Sequence, residues 1–194
     1  RHEDNLTGSN SGETINGKGG DDVISGKGGN DHIFGDDGDD RIHGGDGNDI
    51  IRGGSGKDRL FGDDGKDHIF GGTGRDVMTG GGGNDVFVFT SIDVTMPSGR
   101  LRDVIDDFKH GHDRIDLSEI DADSRRGGNQ AFSWHGSSSF SEGKAGWLIA
   151  EKIDRSGSAH DETVISGDVN GDARADFQIE LAGLKPLNAG DFLL

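Results

Sequence analysis

Between Gly8 and Val88 a carboxylate recurs every ninth residue: Glu13, then Asp22, Asp31, Asp40, Asp49, Asp58, Asp67, Asp76 and Asp85. Aspartate is the shorter acidic side chain and suits both tight turns and hard cations. Glycine stands five residues before each, at Gly8, Gly17, Gly26, Gly35, Gly44, Gly53, Gly62, Gly71 and Gly80; all repeats but the first add glycine at the fourth slot, and four add it at the second. Glycine permits positive φ and close backbone approach, so each turn can point several carbonyls and one carboxylate inward. A ligand set made only of oxygen suits Ca²⁺, which takes six to eight ligands; Mg²⁺ demands tighter octahedral geometry, and Zn²⁺ prefers His or Cys in a smaller set.

The elements that position these carboxylates follow from the apolar register. Two residues after each acid stands Ile15, Ile24, Ile33, Ile42, Ile51, Leu60, Ile69, Met78 or Phe87, giving the period G-G-x-G-x-D-x-U-x, with U a bulky apolar residue. Each nonapeptide divides into a six-residue turn and a three-residue strand. Three residues are too few for a free strand and make sense only in a parallel stack. Alternation points the eighth residue inward and the seventh and ninth outward, which leaves His32, Arg41, His43, Arg52, Arg59 and His68 solvated. Two nonapeptides make one coil. A structureless Gly/Asp linker would not keep all nine eighth slots apolar. The first repeat is the weakest, with Glu13 for Asp and only Gly8 of the turn glycines, and is expected to fray or to cap the stack.

This region resembles the RTX family, whose repeats form a calcium-binding parallel β-roll. The resemblance implies an all-β fold with an ion between each turn and the turn two repeats later. It places ions on Asp22, Asp31, Asp40, Asp49, Asp58, Asp67, Asp76 and Asp85. Backbone oxygens would come from Gly17, Gly19, Gly26, Gly28, Gly35, Gly44, Gly53, Gly62, Gly71, Gly80 and Gly82. One apolar side chain per nine residues is a sparse core against the entropy of ordering the backbone, and the carboxylates repel one another. The ion-free chain is therefore expected to be unfolded, with several Ca²⁺ ions coupled to folding.

The formal net charge is −17, with no cysteine, so disulfides and thiolate metal sites are excluded. Nucleic acid is not an expected partner, because clustered Lys and Arg are lacking. Arg1 to Asn10 is polar throughout and resembles no signal peptide, and no apolar run approaches a membrane span. The chain begins at Arg1 rather than Met, and an upstream domain of the same protein is expected. An address for export would then be sought at the C-terminus.

After a loop around Met96-Pro97-Ser98 the repeat continues in degenerate form, as Asp103-Val104-Ile105 and Gly111-His112-Asp113-Arg114-Ile115. Asp103, Asp106 and Asp113 either close a terminal ion site or are surface carboxylates. The expected organisation is a tail over 1–7, a roll over 8–118 (regular over 8–88, degenerate over 98–118) and a β-rich cap over 119–194. Strands are expected at 131–134, 147–150, 163–165 and 175–179, with Phe132, Trp134, Phe140, Trp147 and Phe177 as an aromatic core covering the open end of the roll.

Gly83-Asn84-Asp85-Val86-Phe87-Val88-Phe89, Asp107-Phe108, Gly111 to Ser118, Gly167 to Asp172 and the final Asp191-Phe192-Leu193-Leu194 resemble the C-terminal domain of serralysins, which are secreted bacterial zinc proteases. The resemblance implies an extracellular, secreted bacterial protein whose C-terminus engages the type I secretion machinery. The catalytic domain is not implied, since H-E-x-x-H is absent: Leu6 stands where the second His would be needed. Gly12 to Lys18 matches G-x-x-x-x-G-K, but Gly19 replaces the Ser or Thr, and no G-x-S-x-G elbow occurs. No catalytic set is found.

Asp168, Asn170, Asp172 and Asp176 have the spacing of an EF-hand-like loop, weakened by Ala173 at the sharp turn and Ile179 in place of the terminal Glu; a β-turn is the favoured reading. His110 and His112 read as exposed turn residues ahead of a transition-metal pair. Two functions compete. One is a calcium-driven folding and secretion module. The other is a module binding an acidic polysaccharide, through a face carrying His32, Phe34, Ile50, Arg52, His68 and Phe70. Similar rolls occur in bacterial alginate-modifying enzymes.

Overall fold

The structure is a computed structural model that describes residues 2–92, 102–154 and 161–194. The loop expected around Met96-Pro97-Ser98, with the start of the degenerate stretch at 98, lies outside the described residues. The fold is all-β. The first nine strands are β1 (Asn5–Thr7), β2 (Thr14–Asn16), β3 (Val23–Gly28), β4 (His32–Asp37), β5 (Arg41–Asp46), β6 (Ile50–Gly56), β7 (Arg59–Gly65), β8 (His68–Gly74) and β9 (Val77–Thr79). They are followed by β10 (Gly82–Gly83), β11 (Val86–Val88), β12 (Asp103–Ile105) and β13 (Arg114–Asp116). The last five are β14 (Ser133–Trp134), β15 (Trp147–Ile153), β16 (Glu162–Asp168), β17 (Phe177–Ala182) and β18 (Phe192–Leu193).

Alternate nonapeptides fall on opposite faces, so two sheets form. One runs β1-β3-β5-β7-β9-β12-β17-β16-β15-β14, with β10 beside β7; the other runs β18-β13-β11-β8-β6-β4-β2. Within the roll every pairing is parallel, with Ile24 opposite Ile42 and Ile33 opposite Ile51. The eighth-slot residues from Ile24 to Phe87 are all fully buried and form one continuous column of contacts. The ladders extend beyond the three expected residues: β3 to β8 run on into the glycine turn, so half of each turn is itself hydrogen-bonded to the next coil.

The roll begins earlier than expected. Asn5–Thr7, expected as part of the tail, is β1, and Leu6 pairs with Ile24. Asp4-Asn5-Leu6-Thr7 has the D-x-U-x pattern of a further half-repeat, which lacks the turn glycines that make the period conspicuous.

The C-terminal strands extend the two sheets rather than forming a separate layer. Strand β17 pairs in parallel with β12, Ile179 lying opposite Asp103, and β18 pairs in parallel with β13, Phe192 lying opposite Ile115. Beyond β17 the sheet continues through β16 and β15, which pair antiparallel, to β14, which pairs in parallel with β15. The expected aromatic core is only partly formed. Phe132 and Phe177 meet edge to face at 5.6 Å inside the core, but Trp147 stacks outside on His135 at 3.9 Å and Phe140 borders an open cleft. Aliphatic Leu148, Ile165 and Ile179 supply the packing instead. Among the described residues no helix is long and apolar enough to cross a membrane.

Candidate metal centres

Each sixth-slot aspartate is buried and divides its two oxygens between different tasks. The N–H of Asp22, Asp31, Asp40, Asp49 and Asp58 donates to Oδ1 of the aspartate one coil further on, Asp40, Asp49, Asp58, Asp67 and Asp76, at 2.8–2.9 Å. The ladders continue from Asp67 to Asp85 at 3.1 Å, from Asp76 to Asp103 at 2.9 Å and from Asp85 to Asp113 at 3.1 Å. The second oxygen, Oδ2, of Asp22, Asp31, Asp40, Asp49, Asp58, Asp67, Asp76 and Asp85 is buried with no hydrogen-bond partner. An unpaired buried carboxylate oxygen is costly, and eight in one array form a pattern that requires a common explanation.

The first-slot glycines show where these oxygens point. A methyl group at Gly35 would lie 2.2 Å from Asp40 Oδ2 and 2.6 Å from the carbonyl oxygen of Gly53; at Gly53 it would lie 2.3 Å from Asp58 Oδ2 and 2.5 Å from the Gly71 oxygen. Gly17, Gly26, Gly44 and Gly62 repeat this cradle with the carbonyls of Gly35, Gly44, Gly62 and Gly80, while Gly71 and Gly80 face Asp76 and Asp85. Each cradle thus joins a carboxylate oxygen of one repeat to a carbonyl two repeats on. The fourth slot is fixed by backbone approach: Gly56 has φ +139, and a Cβ there would lie 2.0 Å from the Gly38 oxygen. The third-slot glycines lie further out, with Gly19 bridging Asp37, and Gly28 and Gly82 lying opposite Asp46 and Asp64.

Burial and neighbouring carboxylates together raise the proton affinity of the array. Asp58 and Asp67 are pushed up to about 7, Asp76 to about 6 and Asp103 to about 8, with desolvation the largest cause in each. Asp40, Asp49, Asp85 and Asp113 are raised for the same reason. Among the described residues no three His, Cys, Asp or Glu side chains converge on one point. A cation in these turns would therefore take most of its ligands from backbone oxygens. That donor set fits a hard ion such as Ca²⁺ and not Zn²⁺.

At the end of the roll the three candidate acids separate. Asp103 and Asp113 sit buried in the two ladders, and Asp113 Oδ2 also accepts from the Lys109 N–H at 2.8 Å. Asp106 is exposed and does not join them. Its neighbour Asp107 accepts from the N–H groups of Gly80 and Gly81, both at 2.8 Å, a role that no spacing in the sequence signalled.

The EF-hand-like loop is closed on itself. Asp168 accepts from the N–H groups of Asn170, Gly171 and Ala173, and Asp176 from those of Val169 and Asn170. Asn170 Oδ1 accepts from the Asp172 N–H and Asp172 from the Arg174 N–H. These side chains shape a turn between β16 and β17. His110 Nδ1 donates to the buried Asp191 carboxylate at 2.9 Å, and His112 faces Asn84 at 3.2 Å, so the two histidines have separate partners.

Stacked parallel coils with carboxylate-lined glycine turns define a parallel β-roll with repeated carboxylate–carbonyl cradles. The RTX calcium-binding nonapeptide repeat matches in four copies, over residues 7–42, 26–60, 34–69 and 61–89. A search of curated proteins finds no match by sequence. Among solved structures the chain is similar to the R3 subunit of AlgE6, a mannuronan C5-epimerase of Azotobacter vinelandii, with 28% identity, TM-score 0.55, and 80% of this chain and 77% of that one covered. The R2 subunit of the same enzyme matches at 23% identity and TM-score 0.43, over 98% and 92% of the two chains. The extracellular lipase LipA of Serratia marcescens matches at 14% identity and TM-score 0.38, over 100% and 40%.

Proposed function

We propose that the chain is a calcium-driven folding module that supports the secretion and stability of an exported protein. This reading rests on the row of eight buried Oδ2 atoms without partners, six of which, from Asp22 to Asp67, share a glycine cradle with the carbonyl of a glycine two repeats on. Asp22, Asp31, Asp40, Asp49, Asp58, Asp67, Asp76 and Asp85 would hold the ions, together with the carbonyls of Gly26, Gly35, Gly44, Gly53, Gly62, Gly71 and Gly80. Calcium supplies the positive charge that the stacked carboxylates otherwise lack. Cytosolic calcium is scarce, so the chain stays extended for a narrow exporter and folds on reaching a calcium-rich exterior. The direct test is calcium titration of ¹⁵N-labelled protein. Amides of the first-slot glycines and sixth-slot aspartates are expected to become dispersed together; a spectrum unchanged by calcium contradicts the reading. Export is tested separately by deleting Asp191–Leu194, with loss of secretion expected and unchanged secretion contradictory.

A second reading, binding of an acidic polysaccharide, is favoured by the register of the seven-stranded sheet. Phe34 lies opposite Arg52 and Arg52 opposite Phe70, and the Arg52 guanidinium sits 3.7 Å from the Phe70 ring centroid. His32, Ile50 and His68 form the adjacent column. The likeness to a subunit of a mannuronan epimerase supports the same reading.

A further inference from the structure

A cleft of about 1030 Å³ opens in the C-terminal region, between the β14–β15 edge and the segment 185–187. Its apolar floor includes Trp134 and Leu187, which pack against the margin of the core, and half-buried Phe140. Trp134 packs against Phe192, the ring centroids 4.8 Å apart and the planes tilted by 32°. The lining includes Ser137, Ser138 and Ser139 and three charged residues, Lys152, Lys185 and Glu151, so two ammonium groups stand against one carboxylate. Neither ammonium forms an ion pair among the described residues, although the chain holds 37 acidic residues against 20 Lys and Arg.

The volume is that of a site for a small ligand. The cleft is open to solvent, and its lining mixes polar and apolar groups. An acyl chain would instead require a dry, enclosed tunnel. A fixed aromatic ring offers a flat apolar platform, and adjacent hydroxyls can donate and accept. Two unpaired ammonium groups on an otherwise acidic molecule favour a carboxylate-bearing partner. We propose that this cleft binds an acidic oligosaccharide, with a sugar face against Trp134 and its carboxylates toward Lys152 and Lys185. The site is separate from the Phe34–Arg52–Phe70 column and does not rest on it.

The probe is tetragalacturonate, titrated into the full chain at fixed free calcium, with maltotetraose as the neutral counterpart. The Trp134 indole resonance is expected to shift, with little response to maltotetraose. The double variant Lys152→Glu/Lys185→Glu, with unchanged circular dichroism, is expected to weaken binding about tenfold or more, the scale of losing a charged hydrogen bond. Arg52→Ala should leave this shift intact. Absence of a Trp134 shift, or equal binding by the double variant, overturns the proposal. Loss of binding in Arg52→Ala alone also overturns it while leaving the roll-face reading standing. A Trp134 response to decanoate but not to the uronate assigns the cleft to amphiphiles and overturns it likewise.

Discussion

The main-chain N–H of Asp40 donates to Oδ1 of Asp58, one coil further along, at 2.8 Å, while Oδ2 of Asp58 has no partner. The first oxygen aligns the coils, and the second is the one that the proposed function assigns to a cation. Asp58→Asn separates the two tasks, because the amide keeps one acceptor and removes the charge. The calcium midpoint for folding is expected to rise on the order of tenfold, since loss of even an outer-shell partner costs about 10–100-fold in metal affinity. A midpoint equal to that of the parent protein, read by calcium titration of the far-ultraviolet circular dichroism, contradicts the assignment.

The cradles also predict a steric effect. Gly53→Ala places a methyl 2.3 Å from Asp58 Oδ2 and 2.5 Å from the Gly71 oxygen. The overpacking costs about 1–3 kcal/mol, and loss of the ion adds to it. Gly127→Ala, where nothing lies within 4 Å, is the matched control and should leave stability unchanged. Equal denaturation midpoints for the two variants in saturating calcium contradict the cradle.

Acid should act in opposite directions on the ion-free and the calcium-bound protein. Without calcium, Asp58, Asp67, Asp76 and Asp103 in the folded chain titrate near 6 to 8, against 3.8 for an ordinary aspartate. The folded form then binds more protons than the unfolded chain. Its stability is fully present below about pH 4 and is lost as the pH rises through 6 to 8. In chelator, lowering the pH from 8 to 4.5 is expected to restore β-structure, whereas in limiting calcium the same acidification weakens ion binding. An ion-free protein that loses structure on this acidification contradicts the sign.

Asp191 closes the far end. Its carboxylate, almost fully buried, meets His110 Nδ1 and accepts from the N–H groups of Gly111 and Asn188. Asp191→Ala leaves these donors unpaired and is expected to cost about 3 kcal/mol, given about 1–3 kcal/mol for an unsatisfied buried group. Urea denaturation in saturating calcium measures it, and a loss below about 0.5 kcal/mol is contradictory.

The regular roll is legible in the sequence because one period fixes everything at once: Ile24, Ile33 and Ile42 lie on one register, and the turn residues follow. Legibility fades where the period does. Leu6 continues the apolar column without any glycine to announce it. Asp107 replaces Asp106 at the last turns because the stagger of β12 on β9 sets it beside Gly80, a relation no local spacing encodes. The return of Phe177–Ala182 and Phe192–Leu193 to the edges of the roll is a long-range pairing, and alternation in a strand reveals its faces but not its neighbour.

The central claim is that the array cannot hold its buried carboxylates together without divalent cations. Far-ultraviolet circular dichroism and hydrodynamic radius at pH 7.5, in excess chelator and then in millimolar calcium, test it most directly. An expanded chain with little β-structure is expected in chelator, and a compact β-rich one after calcium is restored. A compact, β-rich protein after exhaustive removal of divalent ions contradicts it.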